Sequence, residues 1–236
     1  MEAILAVGII GLFFAAIGIA ILYEGKRKKA FNQLADCMNL SFDGKCSDES
    51  GDFIKSINHL AQFQRKDQSV KNIIYGEVKG INLAIFDHTF TLKSSNPERS
   101  GSVCSQTVII FQSESLNLPF FSLRLKGAIQ PSVKKECKDI FFDSHSYFSQ
   151  KYDLYGHDED AIRSTFNSNF INFFERSGNW AVDASSNSLM VGIMRKGRKV
   201  AMGGTAGLRP QIKKIAVKDI KDLFQRGFEV FNLLKT

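Results

Sequence analysis

An acid, a hydroxyl and an imidazole stand side by side at Asp143-Ser144-His145, and a carboxylate and an imidazole are adjacent at Asp87-His88. Such groups catalyse acyl transfer when nucleophile, base and orienting acid meet in space, which adjacency in sequence does not achieve. If Leu83 to Leu92 is a strand, as its alternation indicates, Asp87 and His88 point to opposite faces. Cys37, Cys46, Cys104 and Cys137 lack Cys-x-x-Cys spacing, and Cys137, His145 and His157 are too scattered to act together as metal ligands. Gly203-Gly204-Thr205-Ala206-Gly207 has the composition of a phosphate loop. Leu208-Arg209-Pro210 follows, however, where a P-loop carries Gly-Lys-Ser/Thr, so the run reads as a flexible loop. The sequence predicts no catalytic residue, no metal site and no cofactor.

The stretch that must position everything else is Ala3 to Tyr23, AILAVGIIGLFFAAIGIAILY, with 21 residues, no charge and no Pro. As a helix it measures about 31 Å, close to the ~30 Å hydrocarbon layer of a bilayer. No basic residue precedes it, and it exits through Leu22-Tyr23-Glu24 rather than a small-residue cleavage site. These features predict an uncleaved transmembrane anchor and not a signal peptide. The cluster Lys26-Arg27-Lys28-Lys29 lies only on the C-terminal side. It predicts that the N-terminus lies outside and the following domain in the cytoplasm, its cysteines reduced. Gly8, Gly11, Ala15 and Gly18 share one face of the span, a small-residue stripe that suits a homodimer through the membrane helix.

Charge is uneven. Arg195 to Arg226 holds ten basic and two acidic residues, a local +8 in a chain of net +7. Lys214, Lys218 and Lys221 have the i, i+4, i+7 spacing of one helical face. With Lys26, Arg27, Lys28 and Lys29 they are candidate contacts to anionic lipid headgroups. The Phe residues of the same segment fall on the apolar face, so the interleaved aromatics of a single-strand nucleic-acid reader are not there and nucleic acid is not the partner expected.

Helical periodicity is expected in Lys26 to Met38 (Phe31, Leu34, Ala35, Met38), Asp48 to Gln64, Asp158 to Gly178 and Val217 to Leu234, with a short helix at Ser132 to Phe142. Period-two alternation predicts a four-strand meander, 72–79, 83–92, 103–112 and 120–125, and a hairpin of 180–184 with 189–195. The fold class is α+β: an N-terminal transmembrane helix, then a domain of antiparallel meander and hairpins with flanking helices. The divisions are an anchor at 1–24, a juxtamembrane helical segment at 25–66, a β-meander at 67–130 and a second α+β half at 131–236 that ends in a long helix. The 21 Phe, against five Tyr and one Trp, supply a sizeable core.

Three stretches carry a resemblance: Gly76 to His88 (GEVKGINLAIFDH), Ser115 to Leu125 (SLNLPFFSLRL) and Phe141 to Arg163 (FFDSHSYFSQKYDLYGHDEDAIR). Their order and spacing are similar to those of a widespread set of uncharacterised bacterial single-span membrane-anchored proteins. The resemblance implies a bacterial origin and a shared fold, with no activity or catalytic residues to carry over. His88 departs from the pattern, which has an aromatic there. The function expected is an interaction or scaffold module tethered to a lipid bilayer, with an unknown protein partner. The alternatives are a membrane-tethered enzyme with an unrecognised site, or a lipid-binding protein with an elongated apolar cavity between sheet and helices.

Overall fold

The computed structural model describes residues 22–63, 68–92, 102–128, 137–195 and 211–235. The run Ala3–Tyr23 lies outside these residues except for Leu22 and Tyr23, and so does the whole stripe Gly8, Gly11, Ala15 and Gly18. The Gly-rich run at 203–207 is outside them too. Among the described residues no helix is long and apolar enough to cross a membrane.

The first described element is a helix covering residues 22–38 (α1), whose buried stripe is Phe31, Leu34 and Ala35, as the periodicity predicts. A short strand, β1 (Ser41–Lys45), follows; alternation in the sequence did not reveal it. Ser47 and Ser50 cap each other's backbone at the start of α2 (Asp48–Ser56), which ends a full two turns before Gln64. Strands β2 (Gln68–Val78), β3 (Ile81–Leu92) and β4 (Ser102–Gln112) form the expected meander.

The fourth strand of that meander behaves differently. β5 (Leu118–Leu125) does not pair with β4. The edge of β4 is occupied by β9 (Ser188–Arg195), and β5 lies between β8 (Trp180–Ser186) and β7 (Tyr152–Gly156). The result is one antiparallel sheet ordered β1-β2-β3-β4-β9-β8-β5-β7-β6, with β6 (Lys138–Asp139) at its edge and β10 (Gln211–Ile212) on β9. Strands from both halves of the chain interleave in it.

Two helical expectations are corrected. Where a helix was expected to 142, residues Lys138–Asp139 form the edge strand β6 on β7. The helix expected from 158 to 178 is two: α4 (Glu159–Thr165) and α5 (Ser168–Arg176). Asn167 breaks it, because its side chain accepts from the Phe170 amide 3.0 Å away and caps α5 afresh. A further helix, α3 (Ser146–Lys151), precedes β7, and α6 (Ile220–Leu234) closes the chain after a 3-10 turn at Val217–Asp219.

Helices α5 and α6 pack against the sheet through Phe. Phe111 of β4 meets Phe224, Phe228 and Phe231 of α6. Phe121, Phe166, Phe170 and Phe174 form an edge-to-face chain with centroids 4.9–5.0 Å apart. Such pairs add about 0.5–1.5 kcal/mol each beyond their buried area.

Candidate functional site at the root of the first helix

β3 places Asp87 and His88 on opposite faces, as its alternation requires. Both are buried, at 4% and 0% exposed. Asp87 faces α1. Arg27 meets it with a two-pronged fork, Nε to Oδ2 and Nη2 to Oδ1, each 2.6 Å. Thr107 of β4 donates to Oδ1 at 2.9 Å, and Asn72 of β2 donates to Oδ2 at 3.0 Å. Asn72 sits in the left-handed region at φ 52°, inside a bulge where the β2–β3 register shifts between Lys71 and Ile74. The bulge turns a side chain that a regular strand would aim elsewhere toward Asp87.

Arg27 spends its remaining donors within the same cluster. Nη1 donates to the Ile215 carbonyl at 2.8 Å and Nη2 to Thr107 Oγ1 at 3.1 Å; the guanidinium also lies 4.9 Å over the Phe31 ring. The Ile215 amide donates to Thr107 Oγ1 at 3.2 Å. Lys214 lies 3.8 Å from Asp87 and 3.1 Å from Glu24. α1, β2, β3, β4 and the segment before α6 thus converge on one carboxylate. Burial works against the Arg27 charge, but the hydrogen bond and charge of Asp87, aided by Tyr23 and Glu24, outweigh it and hold the guanidinium above its ordinary value.

This geometry corrects the candidate lipid contacts. Lys26, Lys28 and Lys29 are exposed, but Arg27 points into the domain and is 4% exposed. Lys214 is half-buried in its ion pairs and lies outside any helix, so it shares no helical face with Lys218 of the 3-10 turn or Lys221 of α6. Lys218 and Lys221 are exposed. The clue to Arg27 was present in the sequence: it stands four residues before Phe31, on the buried stripe of α1.

His88 belongs to the other face. Its Nδ1 accepts from Gln106 Nε2 at 2.8 Å and its Nε2 donates to Gln68 Oε1 at 2.9 Å, a tautomer assigned from these partners. Its ring lies 5.0 Å from Phe63 and 5.4 Å from Phe90. It packs against both aromatic rings as a third ring. Asp143-Ser144-His145 forms a 3-10 turn in which His145 stands 3.9 Å from Glu175 of α5; Asp143 and Ser144 are exposed.

A second buried ion pair joins Arg124 of β5 to Asp183 of β8 at 2.7 Å, both side chains 1% exposed. Among the described residues, Ser122 Oγ and Asp183 Oδ1 beside it have no hydrogen-bond partner. At the far end of the sheet, two grooves of about 380 and 420 Å³ meet at Leu233. Asn117, Asn167, Asn169 and Asn172 line them, with Lys235 and Arg176 as their ionisable groups. Among the described residues no three His, Cys, Asp or Glu converge as metal ligands, and Cys37 and Cys46 are exposed.

The fold is α+β, built on one large antiparallel sheet with helices packed against it. No family model matches the chain, and no curated protein matches it. A solved structure with a similar fold is the crystal structure of the mycobacterial trehalose monomycolate transport factor A, TtfA. The likeness has a TM-score of 0.55 at 17% identity and covers 89% of this chain and 93% of that one. At that identity it is a likeness of fold.

Proposed function

We propose that this protein is a membrane-anchored interaction module. Its folded domain is held in one orientation on its anchor helix by the ion pair of Arg27 and Asp87, and lies on the cytoplasmic side of a bacterial inner membrane. The observation that carries the reading is the burial of Arg27, four residues after the apolar run ends, in a fork to a sheet carboxylate. A tether that only retained the domain near a membrane would need no such fixture. A flexible basic linker would leave all four of Lys26 to Lys29 solvated; here Arg27 is spent on geometry instead. Anchoring by residues 3–23, and self-association through Gly8, Gly11, Ala15 and Gly18, belong to the same proposal.

The fold likeness to a protein named as a transport factor favours an assembly concerned with transport as the setting for such a module. The test is purification of the full chain from native membranes in mild detergent, beside Arg27→Lys, which keeps the charge and loses the fork. The reading expects recurrent protein partners with the wild type, weakened in the variant while both remain in the membrane pellet. Release of the wild type from membranes by alkaline wash, or purification without any recurrent partner, overturns it.

A further inference from the structure

The end of the sheet nearest the start of α1 has features that a solvated strand end does not need. Six large hydrophobic residues are exposed among the described ones, and Leu22, Tyr23 and Val103 are three of them, at 65%, 59% and 70%. They share one end of the molecule. α1 and β3 run in opposite directions: Arg27 meets Asp87, and Leu40, just past the end of α1, lies against Gly76, which pairs with Leu83. Moving from Arg27 back to Leu22 therefore follows the same direction as moving from Asp87 to Thr91. The helix gains about 7 Å over that interval and the strand gains about 13 Å. Val103 pairs with Thr91, so it reaches at least the level at which the apolar run Ala3–Tyr23 ends. By the period of two, Val103 points to the face of Asp87, on which α1 lies.

One row of the sheet behind this edge is basic. Lys45 pairs with Lys71, Lys71 with Asp87, and Asp87 with Thr107, whose amide donates to the Lys213 carbonyl at 3.1 Å. Lys45, Lys71 and Lys213 are exposed, as is Lys26 beside Arg27. Asp87 is buried in its ion pair, so the exposed charge of the row is positive.

We propose that this end of the sheet docks on the lipid surface from which α1 emerges, with Tyr23 and Val103 in the interface and the row of Lys45, Lys71 and Lys213 facing anionic headgroups from behind. The proposal rests on the reading of residues 3–23 as a membrane span, and it adds a second, sheet-borne contact. The row stands about 13 Å behind Val103. The headgroup layer is roughly 5–7 Å thick and the screening length is about 8 Å at physiological salt. The lysines therefore bias orientation, while the apolar contact sets depth. The grooves around Leu233 then face away from the bilayer, because α6 runs about 22 Å toward the opposite end, where Phe111 pairs with Leu83.

The experiment uses the full chain in nanodiscs whose lipids carry bromine on the acyl chains, which quenches tryptophan at the interface. Trp180, the single native Trp, is 1% exposed and is retained, its own signal subtracted with the wild type. Tyr23→Trp, Val103→Trp and Leu233→Trp are compared. The proposal expects loss of most of the added emission for Tyr23→Trp and Val103→Trp, and none for Leu233→Trp. Quenching of Tyr23→Trp alone overturns the docking and leaves the anchor standing. Quenching of Leu233→Trp reverses the orientation and overturns it as well. No quenching of Tyr23→Trp removes the anchor and the docking together.

Discussion

Arg27 and Asp87 are sixty residues apart in sequence and share two hydrogen bonds of 2.6 Å, with their side chains 3% and 5% exposed. The attraction within such a pair roughly repays its desolvation, so its net contribution to stability is small, but removing one partner strands a buried charge. Asp87→Ala is expected to lower the unfolding free energy by about 3–5 kcal/mol. Arg27→Lys should cost less, since one ammonium replaces the fork. Urea unfolding of both variants checks this. An unchanged midpoint for Asp87→Ala would mean that the pair is not buried in solution.

The second pair makes a different prediction through its neighbour. Ser122 is 0% exposed and its hydroxyl has no partner among the described residues, which leaves an unrepaid desolvation cost there. Ser122→Ala is expected to leave stability unchanged or raise it by up to about 1 kcal/mol. A loss of more than that would show that the hydroxyl is bonded.

Tyr152 is 2% exposed; its hydroxyl donates to the Gly178 carbonyl and accepts from the Trp180 amide. Burial pushes its pKa well above the usual phenol value, against the smaller lowering effect of the Trp180 amide. Because the folded pKa is raised, the unfolded chain releases this proton first. Tyr152 therefore weakens the fold only as pH rises above about 10, and not below. Stability measured across that alkaline range should fall less steeply in Tyr152→Phe than in the wild type. Equal slopes would contradict the assignment.

Gly156 closes the contact between β7 and its neighbours. A Cβ there would lie 2.7 Å from the Phe120 carbonyl, a backbone atom that cannot swing aside, and would also strike Ile162. Gly156→Ala is expected to destabilise by about 1–3 kcal/mol, the usual range for overpacking. Thermal unfolding measures it, and a neutral result would show that β5 and β7 separate more freely than their register implies.

Local periodicity made much of this fold legible. The stripe of Phe31, Leu34 and Ala35, the alternation of β3, the hairpin of β8 and β9 and the Phe face of α6 all follow from it. The partners of β5 did not follow: nothing in residues 118–125 says that β9 rather than β5 will take the edge of β4. The break at Asn167 was readable as an Asn at a cap position, yet the Phe periodicity runs on through it. At the candidate site, the opposite facing of Asp87 and His88 was legible. The role of Arg27 was not, because a basic residue beside an apolar run fits a membrane surface as well as a buried carboxylate. Asn72 carried a clue, since Asn is poorly suited to a strand interior and is tolerated at positive φ.

Asp87 fixes the first turns of α1 to the sheet. Amide hydrogen exchange on the full chain in nanodiscs tests this directly, resolved over residues 22–38. Protection through residues 24–30 is expected in the wild type. In Asp87→Ala, exchange there should become fast while Phe31 to Met38 stays protected by its apolar contacts. Equal exchange of residues 24–30 in both proteins, whether fast or slow, would contradict it.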